Sequence, residues 1–137
     1  MANVVSTQIL LDGPRNTVIK VVGVLDTSDQ ASMVIADPAT LCGIDNTGAV
    51  KAAKLAINRI VLNIEDGLAV YLNWDATTPV LIDQFTGRGH QEFQKVGGLW
   101  NNAGAGVTGK ILLSTQGWAI GAFLSFSLEL ELYKQQT

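Results

Sequence analysis

The nine residues from position 124 to 132, Leu-Ser-Phe-Ser-Leu-Glu-Leu-Glu-Leu, alternate without a break. Leu124, Phe126, Leu128, Leu130 and Leu132 fall on one side; Ser125, Ser127, Glu129 and Glu131 fall on the other. Successive side chains of an extended chain point to opposite faces. A helix would scatter these leucines around its circumference. The segment is therefore a strand with one buried face.

The same reading extends along the chain. Residues 4–11 form a strand that stops at Asp12-Gly13-Pro14. Residues 16–25 are rich in β-branched side chains and end at Asp26-Thr27-Ser28-Asp29. A short strand at 33–36 precedes Asp37-Pro38, and 37–50 is loop-like, broken by Gly43 and Asn46-Thr47-Gly48. Residues 60–64 lead into Glu65-Asp66-Gly67, after which Leu68, Val70, Leu72 and Trp74 alternate with Ala69, Tyr71, Asn73 and Asp75. Asp-Gly between alternating runs predicts a tight hairpin. After the breaker at 75–79, residues 80–85 form a strand, Gly87-Arg88-Gly89 turns the chain, and 88–94 return as a short polar strand. Residues 50–57 hold good helix formers and leave room for one helix of one to two turns. The sum is an all-β fold, an antiparallel β-sandwich of about eight or nine short strands, jelly-roll-like, in a single domain over residues 1–137.

Charge narrows the function. Only 15% of residues are charged, against a typical ~25%, which points to surface covered by a partner. The net charge is −3 and no two basic residues are adjacent. Phosphate backbones call for a basic stripe, so direct nucleic-acid binding is not expected. No apolar run approaches a membrane span of ~20 residues. Met1-Ala2-Asn3-Val4 has neither the basic nor the apolar part of a leader, and the expected compartment is the cytoplasm. Cys42 is the only cysteine; a reducing compartment suits it.

The candidate chemical sites thin out on inspection. Gly104-x-x-x-x-Gly109-Lys110 resembles a phosphate-binding P-loop. A working P-loop has Ser or Thr after its lysine and then a helix; here Ile111 follows and residues 111–115 read as a strand. The alternative is a glycine-rich turn between strands. Asp12, Asp26, Asp29, Asp37, Asp45, Asp66 and Asp75 lie at turns, where carboxylates bond to nearby backbone, and nothing selects a catalytic pair. His90 has no second His or Cys at metal-ligand spacing. Tyr71, Asn73 and Asp75 share one strand face, a row that suits either sugar binding or a plain polar exterior. We expect no enzyme, cofactor or metal.

What remains is residues 96–128, which carry one charge, Lys110, in 33 positions and hold seven of the 14 glycines. Trp100, Asn101 and Asn102 open it, and Trp118 stands in a Gly-Trp-Ala-Ile-Gly turn. Large aromatics with amides and little charge are what interface cores use. These four residues are the candidate protein interface; the competing reading places Trp100 and Trp118 in the core.

Several segments resemble small virion structural proteins of tailed bacteriophages. They are Asp12-Gly-Pro-Arg-Asn-Thr-Val-Ile-Lys20 with Gly23-Val-Leu-Asp-Thr-Ser-Asp29, then Asp66-Gly67, and Tyr71-Leu-Asn-Trp-Asp75 with Thr78-Pro79. Gly97-Gly-Leu-Trp-Asn-Asn-Ala-Gly-Ala-Gly-Val-Thr-Gly-Lys110 through Ser114-Thr-Gln-Gly-Trp118 joins them. The resemblance covers most of the chain. It implies a capsid decoration (cement) protein first, and a tail or connector component second. It also implies major capsid protein and copies of the chain itself as partners, with a homotrimer fitting three-fold positions. The location it implies is the capsid surface of the virion, after assembly in the host cytoplasm. It brings no catalytic motif. A glycan-binding module on the virion, with Tyr71, Trp74, Trp100 and Trp118 as stacking faces, is the alternative from a different class.

Overall fold

The structure, a computed structural model, describes residues 3–13, 15–30, 33–41, 43, 54–93, 95, 98–101 and 103–135. Among these residues nine strands follow in order: β1 (Val4–Asp12), β2 (Asn16–Leu25), β3 (Met33–Ala36), β4 (Lys54–Ile64), β5 (Ala69–Trp74), β6 (Val80–Phe85), β7 (Arg88–Glu92), β8 (Ile111–Gln116) and β9 (Leu124–Gln135). They form two antiparallel sheets, β1-β2-β9-β4-β7 and β3-β8-β5-β6. The fold is a β-sandwich, as the alternation requires.

The pairing has one organising rule. β5 pairs with β6, β4 with β7, β3 with β8 and β2 with β9. The chain is thus one long ribbon of four strand pairs, bent at residues 75–79 and rolled so that successive pairs alternate between sheets. β1 is added outside this ribbon, against β2.

One apolar cluster lies between the sheets. Ile19, Val21 and Leu25 from β2, Ile60, Leu62 and Ile64 from β4, and Phe126 to Leu132 from β9 face Val70, Leu72 and Trp74 from β5 and Ile111 and Leu113 from β8. Leu128, Leu130 and Leu132 enter it from the central strand of the larger sheet, and Leu124 packs against its margin. Gly23 sits directly opposite Phe126. A Cβ at position 23 would lie 2.5 Å from the Phe126 ring, so the missing side chain makes room for the aromatic one.

The inner face of β9 ends in a charge. The Lys134 side chain is fully buried; its Nζ donates to Asp12 Oδ1 at 2.6 Å and to the Gly13 carbonyl at 2.7 Å. Thr17 Oγ1 also donates to Asp12 Oδ1. This cluster ties the β1–β2 turn to the last strand.

Three local expectations change. Glu65-Asp66-Gly67 is not a hairpin turn: β4 and β5 lie in different sheets, and the turn, closed by Leu68 N–H to the Glu65 carbonyl, carries the chain across the sandwich. Both edges of β4 are taken by β9 and β7. Turn chemistry sets where a chain reverses, not which sheet it enters. For the same reason the polar strand at 88–92 does not return along β6; it crosses to β4. Finally, residues 54–57 are strand, not helix: Leu55, Ala56 and Ile57 are buried and pair with β9. Helix propensity is a weak prior beside a ladder and a buried face. Residues 50–53 lie outside those described.

Candidate functional site

The ladder registers give each outer face a residue map. On the larger sheet, adjoining rows read Val22–Ser127–Asn63–Arg88, Lys20–Glu129–Val61–His90 and Val18–Glu131–Arg59–Glu92. Arg59 reaches Glu92 at 3.5 Å and Glu131 at 3.6 Å. This is a charged, solvated surface. On the smaller sheet the rows are Val34–Leu112–Asn73–Leu81 and Ser114–Tyr71–Gln84, with Gln116 opposite Ala69. None of these residues is charged. The four strands of that sheet contain one charge, Asp83, beside the β6 bulge. Val34 and Leu81 are exposed, and the Tyr71 hydroxyl donates to Gln116 Oε1.

The neutral stretch 96–128 does not form one patch. Leu99 bridges Ile57 in β4, whereas the β8–β9 loop meets the opposite end, where the Glu65 N–H donates to the Ser125 carbonyl. Ile57 and Ile64 are seven residues apart on β4, about 23 Å at strand rise. Trp100, 56% exposed, is therefore at one end of the sandwich and Trp118 at the other. Asn101 is buried; its Oδ1 accepts the Ala103 N–H at 2.9 Å, which shapes the local loop. Asn102 lies outside the described residues, as does Cys42. Trp118 packs on the margin of the core and donates its indole N–H to the Ala122 carbonyl.

Braced by Trp118, the β8–β9 loop presents two residues the sequence reading passed over. Ile120 is 97% exposed and Phe123 63% exposed. A turn closed by Ala122 N–H to the Ala119 carbonyl lifts Ile120 to the tip. Asp29 holds the base of the loop, its Oδ1 accepting from the Trp118 N–H and from Thr115 Oγ1. The available signal was a large apolar residue directly before the glycine of a short Gly-bounded turn.

The other candidates take structural places. The Gly104–Lys110 segment folds onto the β5–β6 turn: Thr77 N–H donates to the Ala105 carbonyl and Thr108 Oγ1 to Asp75 Oδ2. Gly106 has φ +77°, and a Cβ there would lie 2.0 Å from Thr77 Oγ1. Glycine serves close packing here, and β8 follows where a P-loop needs a helix. Asp75 is engaged in this loop, so it does not extend the Tyr71–Asn73 row as a ligand. Trp74 is 1% exposed and offers no stacking face. Of the turn carboxylates, Asp37 bonds to nearby backbone and Asp29 to backbone 89 residues away, whereas Asp12 and Asp75 accept from side chains. Among the described residues, no three His, Cys, Asp or Glu cluster as metal ligands.

Among the described residues, one concavity stands out. An open groove of about 850 Å³ runs over the start of β9. Its floor is Ser125 and Ser127, its walls Val22, Asn63 and Arg88, and Glu65 and Asp66 stand at its end. Short serine side chains between longer neighbours create it. Glu65 is committed to the Ser125 N–H at 2.8 Å.

Comparison with family models, curated proteins and solved structures finds no match.

Proposed function

We propose that this chain is a structural virion protein that decorates and stabilises a phage capsid. In this reading the β3-β8-β5-β6 face and the Ile120–Phe123 loop lie against neighbouring major capsid proteins. The observation that carries it is the outer side of the smaller sheet, whose four strands carry Asp83 as their one charge, paired with a charged face on the opposite side. A sheet face that presents Val34, Leu81, Tyr71 and neutral amides loses little on desolvation, while a charged face is best left in water.

Two further observations support the reading. The rolled ribbon of four strand pairs supports a jelly-roll-like reading of the sandwich, and jelly rolls are an architecture shared by viral capsid and lectin domains. Architecture alone does not assign function. The segments that resemble small phage virion proteins add to it. A lattice role also tolerates a modest interface, because many weak contacts on one shell act together.

The test is direct. Purified protein is added to capsids that lack it, and decorated particles are imaged by electron microscopy. Roughly sixty or more symmetric copies on the head support decoration. About six or twelve copies at one vertex would move the protein to the tail or connector. No binding, with undecorated capsids keeping full stability, sinks the proposal. Of the glycan alternative only Tyr71 and the amides around it remain on one surface. Tyrosine or tryptophan fluorescence that sugars leave unmoved counts against it.

A further inference from the structure

Among the described residues, four strands lie at sheet edges: β1 and β7 in one sheet, β3 and β6 in the other. An exposed edge invites pairing with another chain, and soluble proteins block it with charge, proline, bulges or short length. β7 carries Arg88, His90 and Glu92, β6 carries Asp83 and a bulge, and β3 has four residues. β1 is different. It is nine residues long, and from Val4 to Leu11 it contains no charge, no proline and no glycine. Its one bulge comes late, after Ile9. Val4, Ile9, Leu10 and Leu11 are all exposed, Ile9 by 50%.

The order of side chains on β1 matches itself in reverse. Thr7 is the centre; Ser6 and Gln8 flank it, then Val5 and Ile9, then Val4 and Leu10. The β2 register assigns the faces. Val5, Thr7 and Ile9 lie opposite Gly23, Val21 and Ile19 on the core side, and Val4, Ser6 and Gln8 lie opposite Val24, Val22 and Lys20 on the outer side. Directly opposed residues of an antiparallel pair share a face. Two β1 strands related by a two-fold axis through Thr7 therefore set Thr7 on Thr7, Val5 on Ile9 and Ser6 on Gln8, like against like on each face.

Charge permits the same arrangement. On β1 and β2 the charges nearest the axis are the two copies of Lys20, one strand further out on each side. Three strand spacings separate them, about 14 Å, beyond the ~8 Å screening length of physiological salt. Asp12 lies outside the paired stretch and is held by Lys134. A crevice of about 240 Å³ also opens between β1 and β3, lined by Thr7, Ile9 and Val34, with Asp37 as its one charged residue. The pairing brings the partner's Val5 opposite Ile9, at the mouth of that crevice.

We infer that β1 is a self-association strand: two copies of this chain join edge to edge through antiparallel β1 pairing centred on Thr7. The two five-stranded sheets become one of ten strands, with about six to eight new backbone hydrogen bonds. The interface is isologous, as two-fold pairing demands. It involves only a second copy of the chain, so it stands whether or not the capsid role does.

A charge swap at the axis tests it. Thr7→Lys puts two ammonium groups directly opposite one another, and Thr7→Glu does the same with carboxylates. Sedimentation velocity on the full chain over a concentration series is expected to show a wild-type dimer. Each variant alone should dimerise about tenfold or more weakly, with an unchanged circular dichroism spectrum. An equimolar mixture of the two should recover dimer, which a merely misfolded variant would not do. The inference is overturned if the wild type stays monomeric throughout. It is equally overturned if Thr7→Lys dimerises as well as wild type, or if the mixture fails to recover. A wild type that is monomeric alone, yet loses capsid binding on Thr7→Lys, would give the edge to a different chain.

Discussion

The two outer faces of this sandwich cover the same core and yet differ in what water sees. The larger sheet carries Lys20, Arg59, Arg88, Glu92, Glu129 and Glu131 in adjoining rows; the smaller one presents Val34, Leu81, Asn73, Tyr71, Ser114 and Gln84 with no charge among them. Both faces satisfy the same folding requirement, because only the inner residues build the core. The outer residues are free to differ, and so they report on surroundings more than on stability. The contrast teaches that low overall charge is not spread evenly: the smaller sheet is depleted and the larger one is close to ordinary.

The comparison yields predictions of decreasing size. The largest concerns the ion pair that the larger sheet turns inward. Lys134→Ala leaves Asp12 without its buried ammonium partner and should lower stability by about 3–5 kcal/mol, read from the urea midpoint. An unchanged midpoint would mean that the pair does not hold the β1–β2 turn to β9.

Next, the neutral face is made to resemble the charged one. Val34→Lys with Leu81→Lys places two charges on exposed positions that do not build the core. Under the proposed role, binding to undecorated capsids should weaken by about 30- to 100-fold through unpaired charge in a contact, with the melting temperature nearly unmoved. Binding at the wild-type level would remove the smaller sheet from the interface and leave the 117–123 loop to account for it.

Gly23→Ala probes the packing behind the charged face. The added methyl meets the Phe126 ring at 2.5 Å and should destabilise the fold by about 1–3 kcal/mol; a neutral thermal melt would show that the ring moves aside freely. The smallest effect is expected at Arg59→Ala. Its partners are substantially exposed, so the loss should stay below about 1 kcal/mol and shrink in high salt. A larger loss would mean that the charged rows stabilise the sheet and are not simply solvated.

Much of the fold was legible in the chain. The strict alternation at 124–132 and the apolar runs bounded by Asp, Gly and Pro located the strands, because a half-buried strand must repeat every two residues. The bounds of β2, β3 and β6 match that reading residue for residue. The contact surface was less legible. Absence of charge drew attention to residues 96–128, yet that run divides between two ends of the molecule, with Asn101 turned inward. The neutral face that does form comes from β3, β5, β6 and β8, four segments that no contiguous window contains.

By itself, then, the sequence determined the strands, their buried sides and most of the places where the chain reverses. These depend on neighbours one to four residues away, and local patterning records them. Tertiary structure alone decided that Glu65-Asp66-Gly67 crosses between sheets, that residues 54–57 extend a strand, and that uncharged residues from distant strands share one face. Those outcomes depend on which strand occupies each edge of β4 and β8. That competition among long-range partners is settled by burying the whole core at once.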